Sequence, residues 1–127
     1  MTPSAPCRIL VIDDDASARL LVERVLKKLG HHVTVVDTAP AGTQALSAQD
    51  FDVVMADKNL DGADGLALLR NEKRRRPGTQ VILMSGDGSA ALIAQAKASG
   101  VEGFLEKPFN VARLKELLAL ALAGTGA

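Results

Sequence analysis

Unbroken apolar runs alternate along the chain with stretches in which apolar positions recur every three or four residues. Arg8 to Ile12 carries no charge after its first residue and reads as a short buried strand. From Ala16 to Leu29 the residues Leu20, Leu21, Val25, Leu26 and Leu29 fall at helical spacing, with Asp15 as the predicted N-cap and Gly30 as the stop. Val33 to Val36 is a second strand, and Thr38 caps a short helix with Pro40 in its first turn, running to about Ala48. Asp52 to Ala56 is a third strand, ending at Asp57. A polar loop with Gly62 and Gly65 leads to a helix over Leu66 to about Arg75, closed by Pro77-Gly78. Gln80 to Met84 is the fourth strand, followed by the loop Ser85-Gly86-Asp87-Gly88. Ser89 caps an alanine-rich helix that ends at Gly100. Gly103 to Glu106 is the fifth strand, and Asn110 caps a last helix from Val111 to about Leu122.

Five strands alternating with five helices predict one α/β domain: parallel strands, each crossover helix packed back onto the sheet. Strands that are apolar throughout, without strict alternation, agree with burial on both faces. The domain is expected over residues 7–122, with a proline-bearing tail over 1–6 and a second tail over 123–127. The 127 residues suffice for one domain with its own core. A content of 47% hydrophobic and 24% charged residues excludes a disordered adaptor.

Charge and cysteine narrow the functions further. Fifteen basic residues balance fifteen acidic ones, so direct nucleic-acid binding is not expected from overall charge. Cys7 is alone, which excludes an internal disulfide or a cysteine metal cluster. The longest wholly apolar run, Leu117 to Ala123, is far short of the ~20 residues of a membrane span, so no membrane insertion is expected. A cytoplasmic domain is the default expectation.

Ligands of open parallel sheets sit at the carboxyl ends of the strands. Asp13 and Asp14 follow the first strand, Asp57 the third, Ser85 the fourth, and Lys107-Pro108 the fifth. Three carboxylates brought together there repel one another by about 4 kcal/mol per pair at ~4 Å. A hard divalent cation relieves this, and Mg²⁺ suits a site with few protein ligands. Lys107 adds a fixed positive charge. An apical carboxylate beside a metal and a lysine is arranged for phosphoryl transfer, with Asp57 as nucleophile and Ser85 and Lys107 holding phosphoryl oxygens.

Ile-Leu-Val-Ile-Asp-Asp-Asp near the start, Asp-Val-Val-Met-Ala-Asp before the glycine-bearing loop, Ile-Leu-Met-Ser-Gly, and Phe-Leu-Glu-Lys-Pro-Phe near the end resemble the receiver domain of two-component response regulators. The resemblance spans nearly the whole chain. It implies a flavodoxin-like fold of five strands in the order 2-1-3-4-5, which is the order in this family's chemotaxis member. It further implies Asp57 as phosphoacceptor for a histidine kinase or a histidine phosphotransfer protein. Asp13 and Asp14 match the metal-binding acidic pair, with Asp57 and the backbone carbonyl of Asn59 as the other protein ligands. Ser85 matches the switch hydroxyl, Phe104 the aromatic switch partner, and Lys107 the phosphate-binding lysine, with a cis bond between Lys107 and Pro108. Because only Gly124 to Ala127 follow the last helix, a stand-alone signalling switch is expected, and not a turnover enzyme. Its downstream protein would be met through the fourth helix, fifth strand and last helix, and homodimerisation is compatible with it.

Blander readings compete. Asp15 reads as a helix cap rather than a fourth acid of the site. Phe104 reads equally well as core. Lys73-Arg74-Arg75-Arg76 reads as a solvated helix end that complements the dipole. His31 and His32 read as loop residues entering the second strand, and Leu120 as lying off the main face of the last helix. Asp61 and Lys58 depart from the family pattern, which usually has a proline where Asp61 stands. Two alternative functions remain: a phosphorylation-independent scaffold, and an aspartyl-phosphate phosphatase of the haloacid dehalogenase kind with Asp13 as nucleophile.

Overall fold

The computed structural model describes residues 6–123, so most of both expected tails lies outside the described residues. Strand β1 (Arg8–Ile12) is followed by α1 (Ala16–Lys28), β2 (His32–Val36), α2 (Ala39–Ala48) and β3 (Val53–Asp57). Then come α3 (Gly65–Arg75), β4 (Gln80–Ser85), α4 (Ala90–Ala98), β5 (Gly103–Glu106) and α5 (Val111–Ala123), which takes in the first residue expected for the second tail. The five strands pair in parallel in the order β2-β1-β3-β4-β5, as expected.

Successive strand residues point to opposite faces, and each face has its own helices. Ile9, Val11, Val53, Met55, Ile82 and Met84 pack under Val22, Val25 and Leu26 of α1 and Leu114, Leu117 and Leu118 of α5. Leu10, Ile12, Val54, Ala56, Val81 and Leu83 face α2, α3 and α4 through Leu46, Leu66, Leu69 and Leu92. Burial on both sides is why these strands carry no alternating polar residues.

The predicted caps have physical partners. Asp15 accepts from the N–H groups of Ser17 and Ala18, Thr38 from Ala41, Ser89 from Leu92, and Asn110 Oδ1 from Arg113. Gly30 ends α1 with φ of 92°, a left-handed conformation that costs a glycine little.

Local expectations are corrected in four places. His32 belongs to β2, where it pairs with Arg8, rather than to the loop before it. Leu20 and Leu29 are exposed, because the stripe of α1 that meets the sheet is Val22, Val25 and Leu26. Strands β3 and β4 each run one residue further than expected, taking in Asp57 and Ser85. The loop after Asp57 contains a small hairpin in which Asn59–Leu60 pairs with Ala63–Asp64. Its two central residues, Asp61 and Gly62, have φ of 46° and 89°. Asp-Gly is the preferred pair for such a turn. A proline, locked near −65°, does not adopt Asp61's conformation, so the departure from the family pattern has a backbone reason here.

Candidate functional site

Register alone gathers the polar strand ends. Ile12 pairs with Ala56, so Asp13 emerges beside Asp57. Asp57 pairs with Met84, and Ser85 pairs with Glu106, so Ser85 and Lys107 come next along the same edge. The N–H of Lys107 donates to the Ser85 carbonyl at 2.8 Å, and the N–H of Lys58 to the Met84 carbonyl at 2.8 Å. The turn back toward α5 begins with a cis bond between Lys107 and Pro108.

Lys107 links two of the acids, its Nζ lying 2.8 Å from Asp13 Oδ2 and 2.5 Å from Asp57 Oδ2. Asp57 Oδ1 accepts from the Asn59 N–H at 3.0 Å, and Asp13 Oδ1 from the Asp15 N–H at 2.9 Å. Carboxylate oxygens of Asp13, Asp14 and Asp57 all lie within 4.8 Å of one another. At that separation each like-charged pair costs about 3–4 kcal/mol at an effective dielectric of 20. Burial pushes the Asp13 carboxyl up from its ordinary range, while the Lys107 ammonium and the Asp15 N–H pull it back incompletely. Burial also works against the charge on Lys107, but its close contacts with the Asp13 and Asp57 carboxylates outweigh this and raise its pKa.

The donor set fits a hard divalent cation. Asp13 Oδ2 is buried and faces Lys107 without an aligned hydrogen bond, and every nearby donor is an oxygen. One lysine does not neutralise three carboxylates. The Asp57 side chain is 11% exposed and that of Asp13 is 0%, so of these two Asp57 is the more accessible. This disfavours Asp13 as a nucleophile.

A family model described as "Response regulator receiver domain" matches residues 9–119. The chain belongs to this family. It is 36% identical over 114 residues to the transcriptional regulatory protein FixJ of Bradyrhizobium diazoefficiens, covering 90% of this chain and 56% of FixJ. The chain therefore spans about half the length of that relative. The receiver domain of NtrX from Brucella abortus superposes with a TM-score of 0.84 at 34% identity, covering 91% of this chain and 98% of that one. The beryllofluoride-activated NtrC4 receiver domain dimer superposes with a TM-score of 0.86 at 28% identity, covering 93% and 98%.

Within this receiver domain the remaining sequence candidates fall as follows. Ser85 is buried, and its Oγ accepts from the Asp87 N–H at 3.0 Å, which leaves its own proton free to donate. Phe104 is partly buried against the α2–α3–α4 face, and its carbonyl takes a long bond from Arg113 at 3.5 Å. Asn59 enters the site through its N–H, its side chain being exposed. Three of the four consecutive cations near the end of α3 are paired internally: Lys73 with Glu102, Arg75 with Glu72, and Arg76 with Asp50. Most of the basic run is thus engaged in ion pairs within the fold. No helix among the described residues is long and apolar enough to cross a membrane.

Sequence reasoning missed Arg19, whose guanidinium donates to the Asp13 carbonyl at 2.8 Å and holds the acidic loop against α1. A cation in the first turns of a helix, where the dipole disfavours it, was the available signal. It also missed how closely α3 approaches β3. A Cβ on Gly65 would sit 1.7 Å from the Asp57 carbonyl oxygen.

Proposed function

We propose that this receiver is a signalling switch that takes a phosphoryl group onto Asp57 from a histidine kinase or a histidine phosphotransfer protein. The observation that carries this is Lys107 bridging Asp13 and Asp57, with Asp14 in reach, at the ends of neighbouring strands. An Asp57 carboxylate oxygen attacks the phosphorus of the donor's phosphorylated imidazole. The P–N bond breaks, the imidazole leaves and takes up a proton, and an aspartyl phosphate forms. Asp13, Asp14 and Asp57 with the Asn59 carbonyl would hold Mg²⁺, which would neutralise charge at the phosphoryl oxygens. Lys107 is free to follow an equatorial oxygen once Asp57 is esterified.

Readout runs through Ser85. Its hydroxyl donates to a phosphoryl oxygen and draws the Gly86-Asp87-Gly88 loop inward. Phe104 then moves into the vacated space, and the face formed by α4, β5 and α5 changes. That face has a groove of about 560 Å³ lined by Ile93, Lys97, Phe104, Phe109, Arg113 and Leu117, which suits a downstream protein or a second copy. The chain transfers the group onto itself and loses it slowly, so it is a switch rather than a turnover enzyme, and it works in the cytoplasm.

The test of the readout is a nuclear magnetic resonance titration with Mg²⁺ and beryllofluoride, a phosphoryl mimic. Shifts at Asp57, Ser85 to Gly88 and the Phe104 ring are expected. Binding that leaves Phe104 and α4 unmoved would leave the phosphoryl chemistry without this switch.

A further inference from the structure

Apart from the strand-end site, a groove of about 360 Å³ lies between α1 and α5, lined by Arg24, Val25, Lys28, Leu29, Val111 and Lys115. Its floor is apolar: Val25 is buried, and Leu29 and Val111 are 44% and 38% exposed. Its rim is cationic, and Arg24, Lys28 and Lys115 are all exposed. None of the three has an acidic partner among the described residues. The adjoining acids are taken by other cations, Glu23 by Lys27 at 2.8 Å and Glu116 by Arg113 at 2.6 Å. The dipole of α1 accounts for Lys27 and Lys28 in its last turn. It does not account for Arg24, a turn earlier, nor for Lys115 in the first half of α5.

We propose that this groove docks an acidic amphipathic helix of a partner protein. Arg24 and Lys28 are one helical turn apart, a spacing that matches carboxylates four residues apart on a docked helix, with Lys115 engaging an acid across the groove. An apolar side chain of that helix sits between Leu29 and Val111 and removes both from water. Phosphate backbones have no use for such a floor, and no aromatic residue lines it for base stacking. For a membrane surface, the apolar atoms would need to protrude beyond the cations rather than lie between them. No groove residue belongs to the Asp57 cluster, so the proposal stands whether or not Asp57 is phosphorylated.

The probe is a fluorescein-labelled, alanine-based helical peptide with glutamates four residues apart on both sides of a single leucine, followed by fluorescence anisotropy. Saturable binding is expected, with amide shifts on the wild-type protein confined to the α1 and α5 residues of the groove. Reversing two cations together, Lys28→Glu with Lys115→Glu, is expected to weaken binding about tenfold. Arg74→Glu, an exposed cation at the end of α3, leaves binding unchanged. Replacing the peptide's leucine by serine is expected to weaken binding too. Absence of saturation, shifts elsewhere, or equal binding by the double variant overturns the proposal. Equal binding of the serine peptide does the same, because it shows charge attraction alone. So does a concentration-dependent dimer, or binding to anionic vesicles, that the double variant abolishes while peptide binding persists.

Discussion

At the carboxyl edge of the sheet three acids, Asp13, Asp14 and Asp57, share one lysine; at the amino edge Lys73, Arg75 and Arg76 each have an acid of their own. The amino-edge pairs also reach into the backbone. Lys73 and Arg75 donate to the carbonyls of Thr79 and Leu46, and Glu102 accepts from the Val81 N–H at 2.8 Å. There the charges are matched and tie α2, α3, β4 and the start of β5 together. At the carboxyl edge negative charge is left over beside a half-buried lysine, and folding alone gives no reason to assemble it. The difference separates ion pairs that hold the fold from a cluster with unmatched charge, which is what the proposed phosphoacceptor site requires.

Substitutions that separate the two edges follow from this contrast, the largest effects first. Gly65→Ala, whose new methyl meets the Asp57 backbone, is expected to cost about 3 kcal/mol in urea unfolding and to disturb Asp57 itself. Gly78 at the amino edge has open space around it, so Gly78→Ala changes stability by less than about 1 kcal/mol. Equal effects at the two glycines would contradict the packing difference. Glu102→Ala strips the Val81 N–H and Lys73 of their acceptor and is expected to cost about 1–2 kcal/mol. Asp14→Asn removes an acid that has no cation of its own, and it is expected to stabilise the metal-free protein by about 1 kcal/mol after screening. Mg²⁺ should then raise the melting temperature of the wild type more than that of Asp14→Asn. A destabilised Asp14→Asn without metal would show that the carboxyl edge carries no excess charge.

The smallest effect concerns His31 at the amino edge. Burial, followed by the neighbouring His32, lowers its pKa from 6.5, and its neutral Nδ1 accepts from the Cys7 N–H at 3.1 Å. The unfolded chain then takes up a proton near the ordinary value that the folded chain resists. Stability is therefore full above that value and declines as pH falls through it toward the lowered folded value. His31→Gln is expected to flatten this decline in unfolding curves measured from pH 7 to pH 5; an unchanged slope would place its origin elsewhere.

Much of this was legible in the sequence, for local reasons. Strands β1, β3 and β4 announced themselves because burial on both faces leaves no polar interruption, and Asp15, Thr38, Ser89 and Asn110 sit where helix starts need acceptors. The residues of the carboxyl-edge cluster were legible because a parallel sheet brings its strand ends together whatever the helices do. What escaped was long-range or small. Lys73 and Glu102 lie 29 residues apart, and no local pattern connects them. The hairpin around Asp61-Gly62 has two residues per strand, too few for alternation to show, although its turn pair was visible. Leu20 belonged to the helical period yet faces solvent, because a period fixes which residues share a face and not how wide a stripe the sheet covers.

The most direct test is the intact mass of the wild-type protein and Asp57→Asn after treatment with acetyl phosphate, with and without Mg²⁺. A gain of one phosphoryl group that requires Mg²⁺ and is absent in Asp57→Asn is the predicted result. A wild-type gain that persists in Asp57→Asn, or no gain with Mg²⁺ and a phosphorylated histidine donor, would contradict the assignment of the carboxyl edge as a phosphoacceptor site.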